Sequence, residues 1–541
     1  MRKLLSLLLF GLAMSCSQND PGHRSEPPKS NEEPLAACSA TPKIVKVPQD
    51  FPTIEAALSQ NQLPEGPAAT PTPSSSSSPN PATPRLLIEV AYKADGYLLK
   101  DGLTLDRPCT DVIGISEVDK KPVLRREEFG KYEQPVIKIA ASNVLLKGFE
   151  IKGKLTTRAD SSPSGVLVLI RKDEKDVLGY SNISIEENDI HTIGYQYPAD
   201  PKSCWEKCDS KNCYICGGGH GIEIKSNTSA LIQRVIVRGN KLHDLYLGQN
   251  EALTISNNVT DFAVIDNEIH DVDNIGIDIA GFQDDHPFAA TKGKVVSNRV
   301  YKSTARNNPG QLEAYPWIAG IYVDGGRGLD LKENAILVEK NVVYDYGFGI
   351  EIGTEKSGEK VDNIIVQNNL VFKNWIVGIG VGHNDDDQKS YVEHCVVRNN
   401  TLYQNYRSGD DAGELRITKN KETTQPLNNI RYENNLIADL RSNRCLVYAD
   451  ILPQLEKFDL TFVHNLFAGT ASKFWNCKKM DFQQFNSLTS ISLQSNEFHS
   501  DYPFEKELPT DPKLIIQAIQ AGTIKDFFKP KPFAAGRGIA W

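Results

Sequence analysis

The residues best placed to do chemistry sit in a recurring tetrad, Gly-Ile-x-Ile, found at Gly221–Ile224, Gly276–Ile279, Gly320–Val323, Gly349–Ile352 and Gly378–Val381, with looser copies at Ala252–Ile255 and Glu414–Ile417. If each tetrad is a strand, its two apolar side chains face a core, and x and the residue two places on face outward. The x positions then form a column: Glu223, Thr254, Asp278, Tyr322, Glu351, Gly380, Arg416 and Val447. Flanking outward positions add Lys225, Ser256, Asp324 and the bare glycines Gly353 and Gly382. Carboxylates, a tyrosine and two cations over a floor of glycines suit a cleft for a polysaccharide.

Three chemistries fit that set. For hydrolysis, Asp278 and Glu351 stand two coils apart, roughly 9.5 Å by strand spacing, near the separation at which one carboxylic acid protonates a leaving oxygen while the other activates water with inversion. For elimination or epimerisation on a uronic acid, a base must take the proton beside the carboxylate while a cation neutralises that carboxylate. Tyr322, Lys225 and His286 are the candidate bases, and Arg416 or a calcium ion held by Asp278, Asp324 and the loop residues Asp284 and Asp285 the candidate neutraliser. For binding alone, the same groups would hydrogen-bond sugar hydroxyls. Against all three stands the bland reading, in which outward charges on a strand are solvated surface, and His286, His383 and the run Asp385-Asp386-Asp387 are ordinary polar loop groups.

The elements that must hold this column are legible as one repeat. Apolar alternation closed by an asparagine and a further apolar pair recurs at Asn188, Asn240, Asn267, Asn298, Asn341, Asn369, Asn400, Asn435, Asn465 and Asn496. From Asn240 the intervals are 27, 31, 43, 28, 31, 35, 30 and 31 residues, which is one coil of fixed minimum perimeter with loops inserted in some turns. A coil of this kind buries its apolar face only against its neighbours, so the chain is a solenoid and not a string of globular domains. The asparagine at each bend predicts a ladder of stacked amides. The gap from anchor to x is 35 residues before Glu223 and 24 before Tyr322 but 10 or 11 before Asp278, Glu351 and Gly380, so the long loops leave one turn and could wall one side of the column.

On these repeats the sequence resembles the right-handed parallel β-helix, or pectin-lyase-like, superfamily. The resemblance implies an all-β right-handed parallel β-helix solenoid of eleven or more coils, over 43–541, in which Val47–Leu58 is similar to the family's N-terminal capping helix and Asp526–Gly536 to its closing segment. It also implies carbohydrate chemistry, of lyase, hydrolase, epimerase or esterase type, or none. The aspartate cluster with downstream base of pectate lyases and the paired aspartates of polygalacturonases are not matched, so a fold is indicated and not a substrate. The expected function is a lyase-like enzyme on an acidic glycan, with Asp278, Tyr322 and Glu351 catalytic and Glu223, Lys225, Asp324 and Arg416 binding substrate. An inverting glycoside hydrolase and a non-catalytic, lipid-anchored glycan-binding protein are the alternatives.

The flanks complete the picture. Met1–Ser15 carries Arg2 and Lys3 and then an almost wholly apolar run, the pattern of an export signal. Leu-Ala-Met-Ser-Cys resembles a bacterial lipobox, which implies lipidation of Cys16, a membrane association through that anchor alone, and a place in the bacterial cell envelope, at the outer membrane or cell surface. Residues 16–42 read as a flexible tether and 61–84, with its serine run between prolines, as a disordered insertion. The formal charge of −9, or −11 without Arg2 and Lys3, disfavours nucleic acid as a partner. Nine cysteines follow Cys16, an odd number that leaves at least one unpaired in a monomer. Cys204, Cys208, Cys213 and Cys216 match no standard zinc spacing and, in an oxidising compartment, read as disulfide-bonded.

Overall fold

A computed structural model describes residues 37–539 apart from 63–81, 159, 175–176, 198–217, 283–286, 309–315, 356–357, 384–389, 407–411, 419–426, 442–443, 450–457, 471–473 and 476–479. Its strands form three parallel sheets, of 14, 11 and 13 strands, and after the first coil each sheet takes every third strand in chain order. One coil therefore gives one strand to each sheet, and the strands of each coil pair with those of the coil before and the coil after. The apolar residues of the repeat line the inside: Ile222, Ile224, Ile277, Ile279, Ile321, Ile350 and Ile352 are all fully buried.

The asparagine ladder is present. In each rung the side-chain amide of one asparagine donates to the Oδ1 of the next, as from Asn267 to Asn298 at 3.0 Å and from Asn298 to Asn341 at 3.0 Å, and the same Oδ1 accepts the preceding backbone N–H. The chain turns sharply here from the 14-stranded to the 13-stranded sheet, and the residue before each asparagine (Asp266, Ser297, Lys340, Asn368, Asn399) takes a left-handed conformation, with φ between 54° and 59°. The buried amides satisfy backbone groups that this tight turn removes from the ladder.

Both ends are closed. At the N-terminus the expected Val47–Leu58 helix is shorter than predicted: Lys43–Val47 is a strand paired with Leu86–Val90, and the helix spans only Ile54–Ser59, begun by the Thr53 side chain accepting from the Ala56 N–H. Alternating burial of Val45 and Val47 shows why, since period two commits those residues to a sheet. A disulfide joins Cys38 to Cys109 in the following coil region. At the C-terminus the helix Pro512–Gln520 and the segment after it cover the outer face of the 13-stranded sheet, where Tyr301, Tyr344, Phe372 and Tyr403 pack against Ile515, Ile519 and Phe528. Beyond that cover the same outward row continues as stacked rings, His191 on His243 at 5.0 Å, His243 on His270 at 5.2 Å and His270 on Tyr301 at 5.1 Å. Among the described residues no helix is long and apolar enough to cross a membrane.

Candidate functional site

The tetrads are strands of the 11-stranded sheet, and their register aligns the x positions coil by coil: Glu223 with Thr254, Thr254 with Asp278, Asp278 with Tyr322, Tyr322 with Glu351, Glu351 with Gly380 and Gly380 with Arg416. One assignment needs correction. Arg416 pairs with Tyr448, so the column ends on Tyr448 and not on Val447, which is buried in the core. A second correction concerns solvent. The column is not a solvated surface: Glu223, Asp278, Tyr322 and Glu351 keep only 7, 5, 2 and 7% of their surface exposed, and Asp324 keeps 5%. Side chains stacked at one coil spacing shield one another, and carboxylates are rarely left this buried without a reason.

The tetrad glycine adds to the site in a way its sequence pattern conceals. Ser164 pairs with His220 and Val166 with Ile222, and likewise Ala319 with Phe348 and Ile321 with Ile350, so the offset between coils is the same before and after the glycine and neither strand has an extra residue. The strands bend together here: a Cβ on Gly221 would point inward, 2.7 Å from Leu242 Cδ2 and 3.0 Å from Leu245 Cδ1. A Cβ on Gly349 would stand 2.2 Å from Val371 Cγ1 and 2.7 Å from the Gly378 carbonyl oxygen, so only glycine lets the coils close there. Because the glycine and the residue after it both face inward, the position before the glycine turns to the outer face, beside x. His220 thereby comes to lie on the same face as Glu223, and Glu251 on the same face as Thr254.

These four residues make a polar cluster that the tetrad reading alone missed. His220 Nδ1 is 3.2 Å from the Glu251 backbone oxygen, which can only accept, so Nδ1 carries a proton. That leaves Nε2 facing Glu223, 3.7 Å from its Oε2, while Nδ1 is also 3.7 Å from Glu251 Oε2 and Thr254 Oγ1 donates to that oxygen at 3.0 Å. The His220–Glu223 separation is too long for a hydrogen bond, and Glu223 Oε2 is buried without a hydrogen-bond partner among the described residues. An imidazole with its free nitrogen turned toward a buried carboxylate can accept or pass on a proton from a group inserted between them.

The remaining expected residues divide. Lys225 aligns with Ser256 and Ala280, whereas Asp324 aligns with Gly353, so these two outward residues of one row stand several coils apart and do not meet. Arg416 lies beyond Glu351, with its guanidinium 4.8 Å from the ring of Trp317 and 5.4 Å from that of Phe348, two residues the sequence reading did not single out. Asp284, Asp285 and His286, the cysteines Cys204, Cys208, Cys213 and Cys216, and Cys16 lie outside the described residues. Cys395 is a free, buried thiol, in line with the odd cysteine count. Among the described residues, three metal-ligating side chains come within 4.8 Å of one another at Asp362, Glu393 and His394, on the 14-stranded sheet and away from the cleft. Asp278 and Asp324 belong to no such group, so calcium at the column would need a further ligand such as Asp284 or Asp285.

Behind the cleft, Asp273 fixes the turn that leads into the sheet. One of its carboxylate oxygens accepts the Leu247 N–H at 2.7 Å and the other accepts from the Tyr197 hydroxyl, which itself accepts the Gly248 N–H at 3.1 Å. Burial pushes the Asp273 carboxyl up to about 7, against the pull of those two donors. Tyr197 is the last described residue before 198–217, so this network anchors the start of the long segment that precedes His220.

No family model matches the chain. The uncharacterized protein YwoF of Bacillus subtilis (strain 168) is 26% identical over 258 residues, which are 47% of this chain and 48% of that protein, so the match spans about half the length of the curated relative. Among solved structures the chain is similar to the A-module of the mannuronan C-5 epimerase AlgE4 of Azotobacter vinelandii, at 13% identity and a TM-score of 0.41 over 77% of this chain and 89% of that one. A mutant of the periplasmic alginate epimerase AlgG matches at 13% identity and a TM-score of 0.37 over 77% of each chain. DFA-IIIase from Arthrobacter chlorophenolicus A6, without its lid, matches at 12% identity and a TM-score of 0.36 over 77% of this chain and 84% of that one. Three parallel sheets, one strand per coil in each and a buried asparagine ladder make the chain a right-handed parallel β-helix.

Proposed function

We propose that this chain is an extracytoplasmic enzyme that acts on an acidic polysaccharide in the manner of a lyase. The observation that carries the reading is the His220 imidazole set between Glu223 and Glu251 at one end of a buried, in-register row that continues through Thr254, Asp278, Tyr322 and Glu351. In an elimination, His220 Nε2 takes the proton on the carbon beside the uronate carboxylate. The C–H electron pair becomes a C=C bond, the glycosidic C–O bond breaks, and the imidazolium so formed returns the proton to the leaving oxygen. Buried carboxyls beside the substrate would repel a uronate unless some are protonated or a cation offsets them, which at His220 is the role given to Lys225, two residues from Glu223, or a bound calcium ion, Arg416 lying six coils further along the row.

The test is a panel of polyuronates and neutral glycans. A rise in ultraviolet absorbance from unsaturated ends is expected with a polyuronate, and His220→Ala should lower it by about a hundredfold or more. Full activity in His220→Ala, or in the triple variant Asp278→Asn, Tyr322→Phe, Glu351→Gln, would sink the assignment of this row. Inverting hydrolysis is the second reading, favoured by the two-coil spacing of Asp278 and Glu351, about 9.5 Å by strand separation. New reducing ends without ultraviolet absorbance would establish it. Binding with no product from any glycan would favour a surface glycan-binding protein instead. Export and lipidation rest on Met1–Cys16: Cys16→Ser should move the protein from the membrane to the soluble fraction, and an unchanged membrane fraction would reject the anchor.

A further inference from the structure

Among the described residues, Trp317 is the largest apolar side chain at the cleft that is left open to solvent, with 46% of its surface exposed. It is nevertheless held firmly. Its chain neighbours Pro316 and Ile318 are buried, and the Ile318 carbonyl oxygen accepts the Phe348 N–H at 2.8 Å, which pins the backbone next to Trp317 to the following coil. The Phe348 ring lies 5.6 Å from the indole, and the Arg416 guanidinium spans both rings.

The column makes room for this arrangement. Phe348 occupies the outward position before the tetrad glycine, the position held by His220 at the other end of the cleft. Its ring lies across Gly380, where a Cβ would come within 3.1 Å of Phe348 Cδ1 and Cε1. A side chain at Gly380, the one bare position between Glu351 and Arg416, would displace the ring on which the guanidinium rests. Three coils thus contribute to one platform, an exposed indole with a positioned cation, at the end of the acidic row away from His220.

We infer that Trp317 and Arg416 form a sugar subsite for a uronate residue, with the indole taking the apolar C–H face of the pyranose and the guanidinium taking its carboxylate. This inference deepens the proposed function and rests on its reading of the cleft as a glycan site. An aromatic face offers large contact area at low entropic cost, and a guanidinium matches a carboxylate with two parallel N–H donors. Arg416 lies six coils from Glu223 along the row, so it meets the charge of a uronate bound away from His220 and holds the polymer across the cleft.

The test is calorimetric titration of the full chain with an oligouronate and with the same oligosaccharide after reduction of its carboxyl groups. Trp317→Ala should raise Kd for both ligands by about tenfold, while Trp317→Phe stays within about threefold of the parent. Arg416→Ala should raise Kd about tenfold for the oligouronate and leave the reduced ligand within about threefold, so that discrimination between the two is lost. Unchanged Kd in Trp317→Ala, equal weakening of both ligands by Arg416→Ala, or failure of the parent to bind any acidic glycan would each overturn the subsite. If Trp317→Ala lowers the melting temperature steeply, Trp317→Phe and the protection of Trp317 from N-bromosuccinimide oxidation by the oligouronate decide instead; no protection overturns the inference. Because the readout is binding, the two proposals fail separately: Trp317-dependent binding without turnover rejects the enzyme and keeps the subsite, and turnover indifferent to Trp317 does the reverse.

Discussion

At the scale of single residues, the cleft is a place where burial and charge oppose each other. Glu223, Asp278 and Glu351 are in register at positions a soluble strand would normally give to water, yet each is more than nine-tenths buried. Asp273, behind them, shows the consequence in a measurable form. Its carboxyl is raised from 3.8 to about 7, first by burial. A carboxyl raised in the folded state binds more protons there than in the unfolded chain, so its contribution to stability is complete below about pH 4 and is lost as pH rises through about 7. Relative to Asp273→Asn, the parent should therefore lose melting temperature steadily between those pH values and run parallel to the variant above them. Curves that stay parallel throughout would show that Asp273 does not titrate in this window. The column was legible in sequence because alternation assigns x to the outer face. His220 and Glu251 were not, because strict alternation assigns the residue three before x to the inner face, and only the bend at the glycine position turns it outward.

At the scale of the element, one coil is held to the next by two devices that work at different corners. The inward glycine lets the coils close at a bend of the 11-stranded sheet that re-aims a side chain, and the asparagine ladder satisfies the turn between the other two sheets. Asn298 is a mid-ladder test. Its Oδ1 accepts from the Asn267 N–H and side-chain amide, and its own amide donates to the Val264 carbonyl at 3.0 Å and to Asn341 Oδ1. Asn298→Ala would leave several buried groups without these bonds, at about 1–3 kcal/mol for each group left unsatisfied. A loss of about 3 kcal/mol or more in urea denaturation is expected, and a loss under 1 kcal/mol would mean that water or a shifted turn replaces the amide. Asn298→Asp should fare no better, since it turns the donor to Val264 into a further acceptor. The ladder was predictable because the asparagine recurs at a fixed place in the repeat. The helix limits at Ile54–Ser59 were not, because Lys43–Val47 is short and its pairing with Leu86–Val90 crosses a long insertion.

At the scale of the whole molecule, a solenoid must close its two ends and cover any apolar outer face. The Cys38–Cys109 bridge spans 71 residues and ties the first strand to the coil beneath it. Replacing both cysteines by serine should cost about 2–4 kcal/mol if the first coil unfolds with the rest. If instead only the N-terminal strand frays, hydrogen exchange will rise over Lys43–Val47 with no change in the main transition. The C-terminal helix covers Tyr301, Tyr344, Phe372 and Tyr403, so deleting 500–541 should expose that row and promote association between chains, measured by light scattering. An unaltered, monomeric product would show that the tail is dispensable.

The sequence by itself determined the solenoid, the inward and outward faces of each strand, the asparagine corner and the members of the column from Glu223 to Arg416, because each follows from a short period repeated many times. Tertiary structure decided the rest. It brought His220 beside Glu223 through a bend at Gly221, buried carboxylates that composition alone would leave solvated, and set Phe348, Arg416 and Trp317 from separate coils onto one platform. Those contacts run across coils some 30 residues apart in sequence, where neither period nor propensity says which side chain reaches which.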